Sequence, residues 1–259
     1  MSRTAIVTGA SRGIGLATAR LFCAAGWDTV SVSRTRPGGD APRGLRHVGI
    51  DLLQRGWAGE LASWLAAELG AERRQQLCIV HNAAQMPKDS ALALSAQTLR
   101  DSLELNVVAP AEMNRLLYPR MGAGSSVLYV GSTLSGAALA PPATAAGVGL
   151  SVPRRAAEKA VANTASYVTA KHAMVGLMRS TCQDLAAAKA PVHTACICPG
   201  FTDTEMLREH VPETAGLAGL VGAGRLIEPE EVGKLLLFSA ENPVINGAVL
   251  HANLGQIEG

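Results

Sequence analysis

Tyr167 and Lys171 stand four residues apart in a strongly helical stretch, which puts both side chains on one face. A free tyrosine titrates near about 10, and a neighbouring ammonium favours tyrosinate and lowers that value. A phenol tuned toward neutrality can give a proton to a carbonyl oxygen or take one from an alcohol. The spacing alone carries little, since most such pairs are surface accidents. This pair gains weight from two features upstream. One is a glycine-rich turn, Gly9-Ala10-Ser11-Arg12-Gly13-Ile14-Gly15; the other is a strand that ends at Gly131-Ser132.

The glycine turn suits a phosphate. Glycine lets the backbone approach a pyrophosphate, and a helix N-terminus offers free N–H groups and a positive dipole end. The context fits a dinucleotide: strand before, helix after, second strand later. The alternative is a turn that only eases helix–strand packing. At the end of the second strand, at Ser33-Arg34, an NAD site would place an acid for the ribose 2′-hydroxyl. Arg34 stands there instead, with Arg12 in the glycine turn, and a guanidinium can pair bidentately with a 2′-phosphate. NADP(H) is therefore expected over NAD(H). The alternative makes Arg34 and Arg36 a solvated loop edge. Asp51, after the third strand, either accepts from the adenine amino group or caps the next helix.

These residues need a scaffold. Apolar runs predict strands at Thr4–Thr8, Thr29–Ser33, His47–Ile50, Leu77–His81, Ser126–Val130, Val192–Ile197 and Ala248–His251. Helical patterns cover Ile14–Ala25, Trp57–Leu69, Gln97–Leu117, Ala165–Ala187, a short stretch near Thr204–His210, and Pro229–Ser239. Strands and helices alternate, and the strands are nearly continuous apolar runs. That combination predicts a doubly wound α/β fold: one seven-stranded, mainly parallel sheet with helices on both faces. No repeat or linker divides residues 1–259, so one domain is expected.

Composition agrees. With 48% hydrophobic and 17% charged residues in 259, a disordered chain is excluded. Lys plus Arg number 23 against 21 Asp plus Glu, a balance that argues against a general nucleic-acid binder. No apolar run is long enough for a membrane span, and the N-terminus lacks a signal-peptide layout. The five cysteines, Cys23, Cys78, Cys182, Cys196 and Cys198, are odd in number and sit in apolar segments. They are expected as buried thiols in a reduced, cytoplasmic compartment. The six histidines show no ligand spacing, so no metal site is expected. Met174 and Met178 read as core or subunit contact.

In order along the chain, these motifs resemble the short-chain dehydrogenase/reductase family, in its classical branch. Thr8-Gly9-Ala10-Ser11-Arg12-Gly13-Ile14-Gly15 matches the family's TGxxxGxG, Asn82-Ala83-Ala84 its NAG, and Tyr167-Val168-Thr169-Ala170-Lys171 its YxxxK. Asn106, in Leu105-Asn106-Val107, and Ser132 complete the pattern with the Pro199-Gly200-Phe201-Thr202-Asp203-Thr204 run. The resemblance implies a Rossmann domain and an oxidoreductase that moves hydride between NADP(H) and a carbonyl or secondary alcohol. It implies a tetrad of Asn106, Ser132, Tyr167 and Lys171. Tyr167 would be the acid or base, and Lys171 would lower its pKa and hold the nicotinamide ribose. Ser132 would steady the substrate oxygen, and Asn106 would support a water linking Lys171 to solvent. Pro199, Gly200, Thr202 and Thr204 would meet the nicotinamide end. Ser33, Arg34, Asp51 and Leu52 would line the adenosine end. The Pro199–Met206 run, Gly224-Arg225-Leu226 and Pro229-Glu230-Glu231-Val232 look most like the 3-oxoacyl-[acyl-carrier-protein] reductase branch. An acyl thioester is the leading candidate substrate. The family forms dimers or tetramers, here through Ala165–Ala187 and Pro229–His251. An NAD-linked secondary-alcohol dehydrogenase and a non-catalytic NADP(H) sensor or scaffold are the alternatives.

The chain departs from the pattern in three places. Ala84 replaces the glycine of NAG, and Leu254 stands where the family often has another. Ser132 and Tyr167 lie 35 residues apart, further than the family's usual link. An insertion over 136–163 is expected near the substrate pocket. It would be a lid, a carrier of Arg154, Arg155 and Lys159 toward an acidic substrate group, or a plain surface loop. Arg154–Ala162 could form a short helix. Ser135 is a second candidate for the serine role, behind Ser132.

Overall fold

The middle of the sheet is apolar on both faces because helices cover both. The computed structural model describes residues 3–39, 41–69, 76–133, 137–138, 157–158, 163–211, 215–219 and 221–256. Its elements run β1 (Arg3–Thr8), α1 (Gly13–Ala24), β2 (Asp28–Ser33), β3 (Arg46–Gly49), α2 (Trp57–Leu69), β4 (Gln76–His81) and α3 (Ala96–Leu103). They continue with α4 (Ala109–Leu117), β5 (Ser125–Val130), β6 (Ala137–Ala138), β7 (Ala157–Glu158), α5 (Ala165–Ala187), β8 (Val192–Pro199), α6 (Glu205–His210), α7 (Ala215–Ala218), α8 (Pro229–Glu241) and β9 (Val249–Ala252). Seven strands form one parallel sheet in the order β3-β2-β1-β4-β5-β8-β9. The order reverses beside β1, so the carboxyl ends of β1 and β4 diverge into a crevice.

Two apolar layers hold the sheet. On one face α2, α4 and α5 pack Leu61, Leu65, Met113, Leu117, Met174 and Met178 against Ile6, Ile79 and Tyr129. On the other, α1 and α8 pack Phe22, Val232 and Leu236 against Val7, Val80 and Leu128. Helices α1 and α8 meet closely because Gly233 has no side chain: a Cβ there would lie 2.7 Å from Leu21 Cδ1. Met174 and Met178 are fully buried, which places both in the core. All five cysteines are free thiols, and Cys196 and Cys198 project to one side of β8 with their sulfurs 3.8 Å apart.

The helix expected over Gln97–Leu117 is interrupted. A π-helical turn, Glu104–Val108, separates α3 from α4 and carries Asn106. Such a bulge adds a residue to one turn and re-aims the helix beyond it. In the expected insertion, β6 and β7 pair antiparallel, with Ala137 opposite Glu158 and Ala138 opposite Ala157. A helix over Arg154–Ala162 is therefore excluded at Ala157–Glu158, where the backbone is extended. Ser135, Arg154, Arg155 and Lys159 lie outside the described residues. Among the described residues no helix is long and apolar enough to cross a membrane, and no cluster of metal-ligating side chains occurs.

One polar network crosses the first layer. His81 Nε2 lies 2.8 Å from Asn114 Oδ1, and Asn114 Nδ2 donates to the Tyr129 hydroxyl at 2.7 Å. Burial keeps His81 neutral by pushing its pKa down from 6.5 to about 4. Between those values an unfolded chain binds a proton that the folded chain refuses. The neutral histidine's contribution is thus complete above pH 6.5 and lost as the pH falls toward 4, reaching about 3 kcal/mol. His81→Gln is expected to flatten this acid limb, read as a smaller difference between urea midpoints at pH 7 and pH 5.

Candidate functional site

The glycine turn leaves the end of β1 with its conformation set by close approaches. Gly9 (φ +66°) and Gly13 (φ +55°) occupy the left-handed region that favours glycine. A Cβ on Gly15 would stand 2.4 Å from the Gly9 carbonyl oxygen, and one on Gly9 would stand 2.9 Å from Ala83 Cα. The ends of β1 and β4 are stitched by Thr8 and Asn82. Thr8 Oγ1 accepts from the N–H groups of Asn82 and Ala83 at 2.9 and 3.0 Å. Asn82 Nδ2 donates back to the Thr8 and Gly9 carbonyls at 3.0 and 3.2 Å. Helix α1 begins beside this turn with no side-chain cap and no acid in its first turn. Its leading N–H groups and dipole are thus left for an anion. This cradle fits a dinucleotide pyrophosphate.

A cleft of about 1530 Å³ opens over the carboxyl ends of the strands. Every residue expected on the cofactor side lines it except Gly15, which is packed beneath the turn against Gly9. Arg12, Arg34 and Arg36 all line it. Ser33 is nearly buried, and its hydroxyl donates to the Thr35 carbonyl at 2.9 Å, holding the strand end that presents Arg34. Asp51 Oδ1 accepts from Leu53 N–H at 3.0 Å in a local turn. The next helix starts only at Trp57, so Asp51 is not its cap. Ala84 lines the cleft with an ordinary negative φ, so its methyl brings no backbone strain. Leu254 is different: at φ +50° it sits where glycine would be unstrained.

Ser132, Tyr167 and Lys171 share one wall of the cleft. Ser132 hydrogen-bonds the Tyr167 phenol. Lys171 is 2% exposed; its Nζ donates to the Val130 carbonyl at 2.7 Å and lies 5.7 Å from the centre of the Tyr167 ring. Burial pushes Lys171 down from 10.5 to about 8, against the pull of the Cys196 and Cys198 sulfurs. The expected lowering of Tyr167 does not occur in this chain. Burial raises the phenol and outweighs the Ser132 hydrogen bond, with Cys198 adding to the rise. Asn106 is not on the cleft wall. It is fully buried in the π-helical turn, with Nδ2 donating to the Ser102 carbonyl at 2.8 Å and Oδ1 unpartnered among the described residues. An orphaned buried carbonyl of this kind suits an ordered water. His172 points elsewhere, its Nδ1 lying 2.9 Å from the Val168 carbonyl one turn back.

Thr202 and Thr204 line the same cleft. Thr202 Oγ1 donates to the Gly200 carbonyl at 3.1 Å, and Thr204 Oγ1 accepts from Leu207 N–H at 3.3 Å, capping α6. The Thr204 methyl stands 3.3 Å from where a Gly13 Cβ would be, so α6 abuts the glycine turn.

Asp89 escaped the sequence reading. Its Oδ1 accepts from Ser166 N–H at 3.1 Å and its Oδ2 from the Ser166 hydroxyl. Its own N–H donates to the Asn163 carbonyl at 3.1 Å, and its carbonyl accepts from Ala165 N–H at 3.2 Å. The carboxylate thus satisfies the first turn of α5 from a distant loop, one residue before Tyr167. No motif marks it, because the cap is supplied across space rather than from Thr164.

Comparison with known proteins gives one family. Residues 3–145 match the family described as short chain dehydrogenase, and residues 137–256 match that described as Enoyl-(Acyl carrier protein) reductase. Cis-4-hydroxycyclohexanecarboxylate dehydrogenase of Sinomonas cyclohexanicum is 28% identical, covering 98% of this chain and 96% of its own. Protein FixR of Bradyrhizobium diazoefficiens is 27% identical over 97% and 85%. The 3-oxoacyl-[acyl-carrier-protein] reductase FabG of Vibrio cholerae is 26% identical over 98% and 96%. Among solved structures, Thermoplasma acidophilum aldohexose dehydrogenase superposes with a TM-score of 0.79 at 21% identity, covering 98% of this chain and 93% of that one.

The geometry leads to two expected outcomes. Asp89→Ala is expected to cost about 1 kcal/mol of stability. It is expected to lower kcat about tenfold by misplacing Tyr167. The Kd for nicotinamide cofactor, followed by its fluorescence, should stay unchanged, and Asp89→Asn should restore part of kcat. Lys171→Met should unfold at a higher temperature than wild type at pH 7, because a buried ammonium opposes folding. Since the folded lysine titrates near about 8 and the unfolded one near 10.5, wild type gains stability between those pH values and the gap should close there.

Proposed function

The chain belongs to the short-chain dehydrogenase family, and we propose that it is an NADP(H)-dependent oxidoreductase acting on a carbonyl or the matching secondary alcohol. The observation that carries this reading is the Ser132–Tyr167 hydrogen bond beside a buried Lys171, on a cleft that also takes in the uncapped N-terminus of α1 and is lined by three arginines. When bound, the cofactor supplies or accepts the hydride.

The chain's own residues do the rest. Ser132 directs its hydroxyl at the substrate oxygen and steadies the charge that develops there. Tyr167, with its pKa pushed up by burial, holds its proton at neutral pH and is suited to give it to that oxygen. Lys171 holds the ribose and takes part in returning the proton. Asn106, with an unpartnered Oδ1, supports a water behind the lysine. Pro199 and Gly200 form the floor beneath the nicotinamide. Arg34, with Arg12, favours a 2′-phosphate over a free 2′-hydroxyl.

The relatives named for 3-oxoacyl and hydroxycyclohexanecarboxylate substrates support a search among ketones that carry an acidic or thioester group. A thioester remains the first choice, on the Pro199–Met206 and Pro229–Val232 motifs. Phe238 on α8 is 50% exposed and Val244, just past the end of that helix, is 87% exposed, which supports a homo-oligomer through α8 and β9.

NADPH oxidation over a panel containing a 3-oxoacyl thioester, a cyclic keto acid, a diketone, a quinone and an aldehyde tests the proposal. Wild type should turn over at least one member, and Tyr167→Phe should lose about 10²-fold or more in kcat while still binding NADPH. Turnover that survives in Tyr167→Phe would sink the acid–base assignment. A protonated phenol is needed for reduction and a deprotonated one for oxidation. Because Tyr167 is raised, reduction should hold across neutral pH and fall only in alkali, whereas alcohol oxidation should climb with pH.

A further inference from the structure

Arg12 sits where an anion is expected, yet it already holds one. Its Nη1 lies 2.9 Å from Glu209 Oε1. The two residues come from distant parts of the chain, the turn before α1 and the last part of α6. Both side chains remain about half exposed, at 53% and 56%, so the pair lies open to exchange with a ligand. Arg34 is exposed on the same cleft.

A carboxylate and a phosphate monoester offer a guanidinium the same pattern: paired oxygens, negative charge and room for two N–H donors. One guanidinium cannot serve both fully. We propose that Glu209 is a built-in competitor for Arg12, occupying it in place of the 2′-phosphate and so setting how strongly the chain prefers NADP(H) over NAD(H). The inference rests on the NADP(H) reading above. A bidentate grip on the 2′-phosphate draws the Arg12 guanidinium away from its single Nη1 contact with Glu209, while binding NADH leaves the pair whole. Glu209 therefore subtracts from NADPH affinity alone. Glu205, on the same helix, makes a useful contrast. Its Oε2 stands 3.7 Å from the position of a Gly13 Cβ, beside the turn that would carry the pyrophosphate common to both cofactors. Its charge should disfavour the two equally.

The test is a set of Kd values for NADPH and NADH, read from cofactor fluorescence at low salt without substrate. Glu209→Gln and Glu209→Ala should each tighten NADPH by about two- to fivefold and leave NADH unchanged, the range expected of an exposed ion pair. In an Arg12→Ala background the same substitutions should have no effect on either cofactor. Unchanged NADPH affinity, or an equal shift for both cofactors as expected for Glu205→Gln, overturns the proposal. The wild-type ratio is read separately. Equal affinity for NADPH and NADH in wild type overturns the cofactor reading, while the change in that ratio on removing Glu209 still decides the competitor.

Discussion

A single amine governs the site. Lys171 is buried between α5 and the carboxyl end of β5, with its Nζ held on the Val130 carbonyl and two thiols of β8 behind it. Burying an ammonium is costly, and the cost is met by moving its pKa down to about 8 rather than by a full counter-ion. The helix must therefore sit at one height against the sheet, because any slip strands the amine. Fixing Lys171 also fixes Tyr167 one turn earlier, and with it the phenol's contact to Ser132 at the end of β5. Asp89 secures the same helix from the other side by satisfying its first turn.

The second constraint is closeness. The cradle depends on Gly9 and Gly15 because β1, α1 and the end of β4 approach to distances no side chain would survive, and on Gly13 for its left-handed backbone. Thr8 and Asn82 convert that proximity into four hydrogen bonds. The arrangement brings a helix N-terminus to the reversal point of the sheet, where parallel sheets of this order open a crevice. The glycine turn and the wall of Ser132, Tyr167 and Lys171 are then two parts of one cleft, joined through β4 and β5.

The fold is legible because its signals are local. Continuous apolar runs, such as Leu77–His81 and Ser126–Val130, mark strands buried on both faces, and the helices at Trp57–Leu69 and Ala165–Ala187 fall where their patterns place them. The glycine turn and the Tyr167–Lys171 spacing are local as well. The features hidden from sequence depend on contacts across space. The π-helical turn in Gln97–Leu117 packs on α5, and its one local mark is Pro110 just beyond it, which lacks the N–H for an i→i−4 bond. Asp89 and Glu209 act on residues far along the chain, and each looks like an ordinary surface acid in sequence. The direction of the Tyr167 shift is hidden for a similar reason: four-residue spacing reveals a neighbour's charge but not how deeply both groups are buried.

Several departures from local consistency lie in or beside the cleft, although others, such as the unpartnered Trp27 Nε1 and Ser239 Oγ among the described residues and Lys189 at φ +49°, lie elsewhere. Lys171 is buried, Asn106 Oδ1 is unpartnered, and Leu254 adopts φ +50° beside the cleft-lining Gln256, whose Oε1 is also unpartnered among the described residues. At the amino ends of the strands, Arg3 instead pairs with Glu241, and Arg46 with Asp28 and Glu68, in ordinary exposed contacts. A sheet this well packed on both faces can hold such frustrated groups in place, since the core and not the site supplies the stability. The rigidity that keeps Lys171 and Asn106 at a disadvantage in the folded chain is also what keeps them arranged before a substrate arrives. That readiness is what electrostatic catalysis requires, because dipoles already in place need no reorganisation as charge develops.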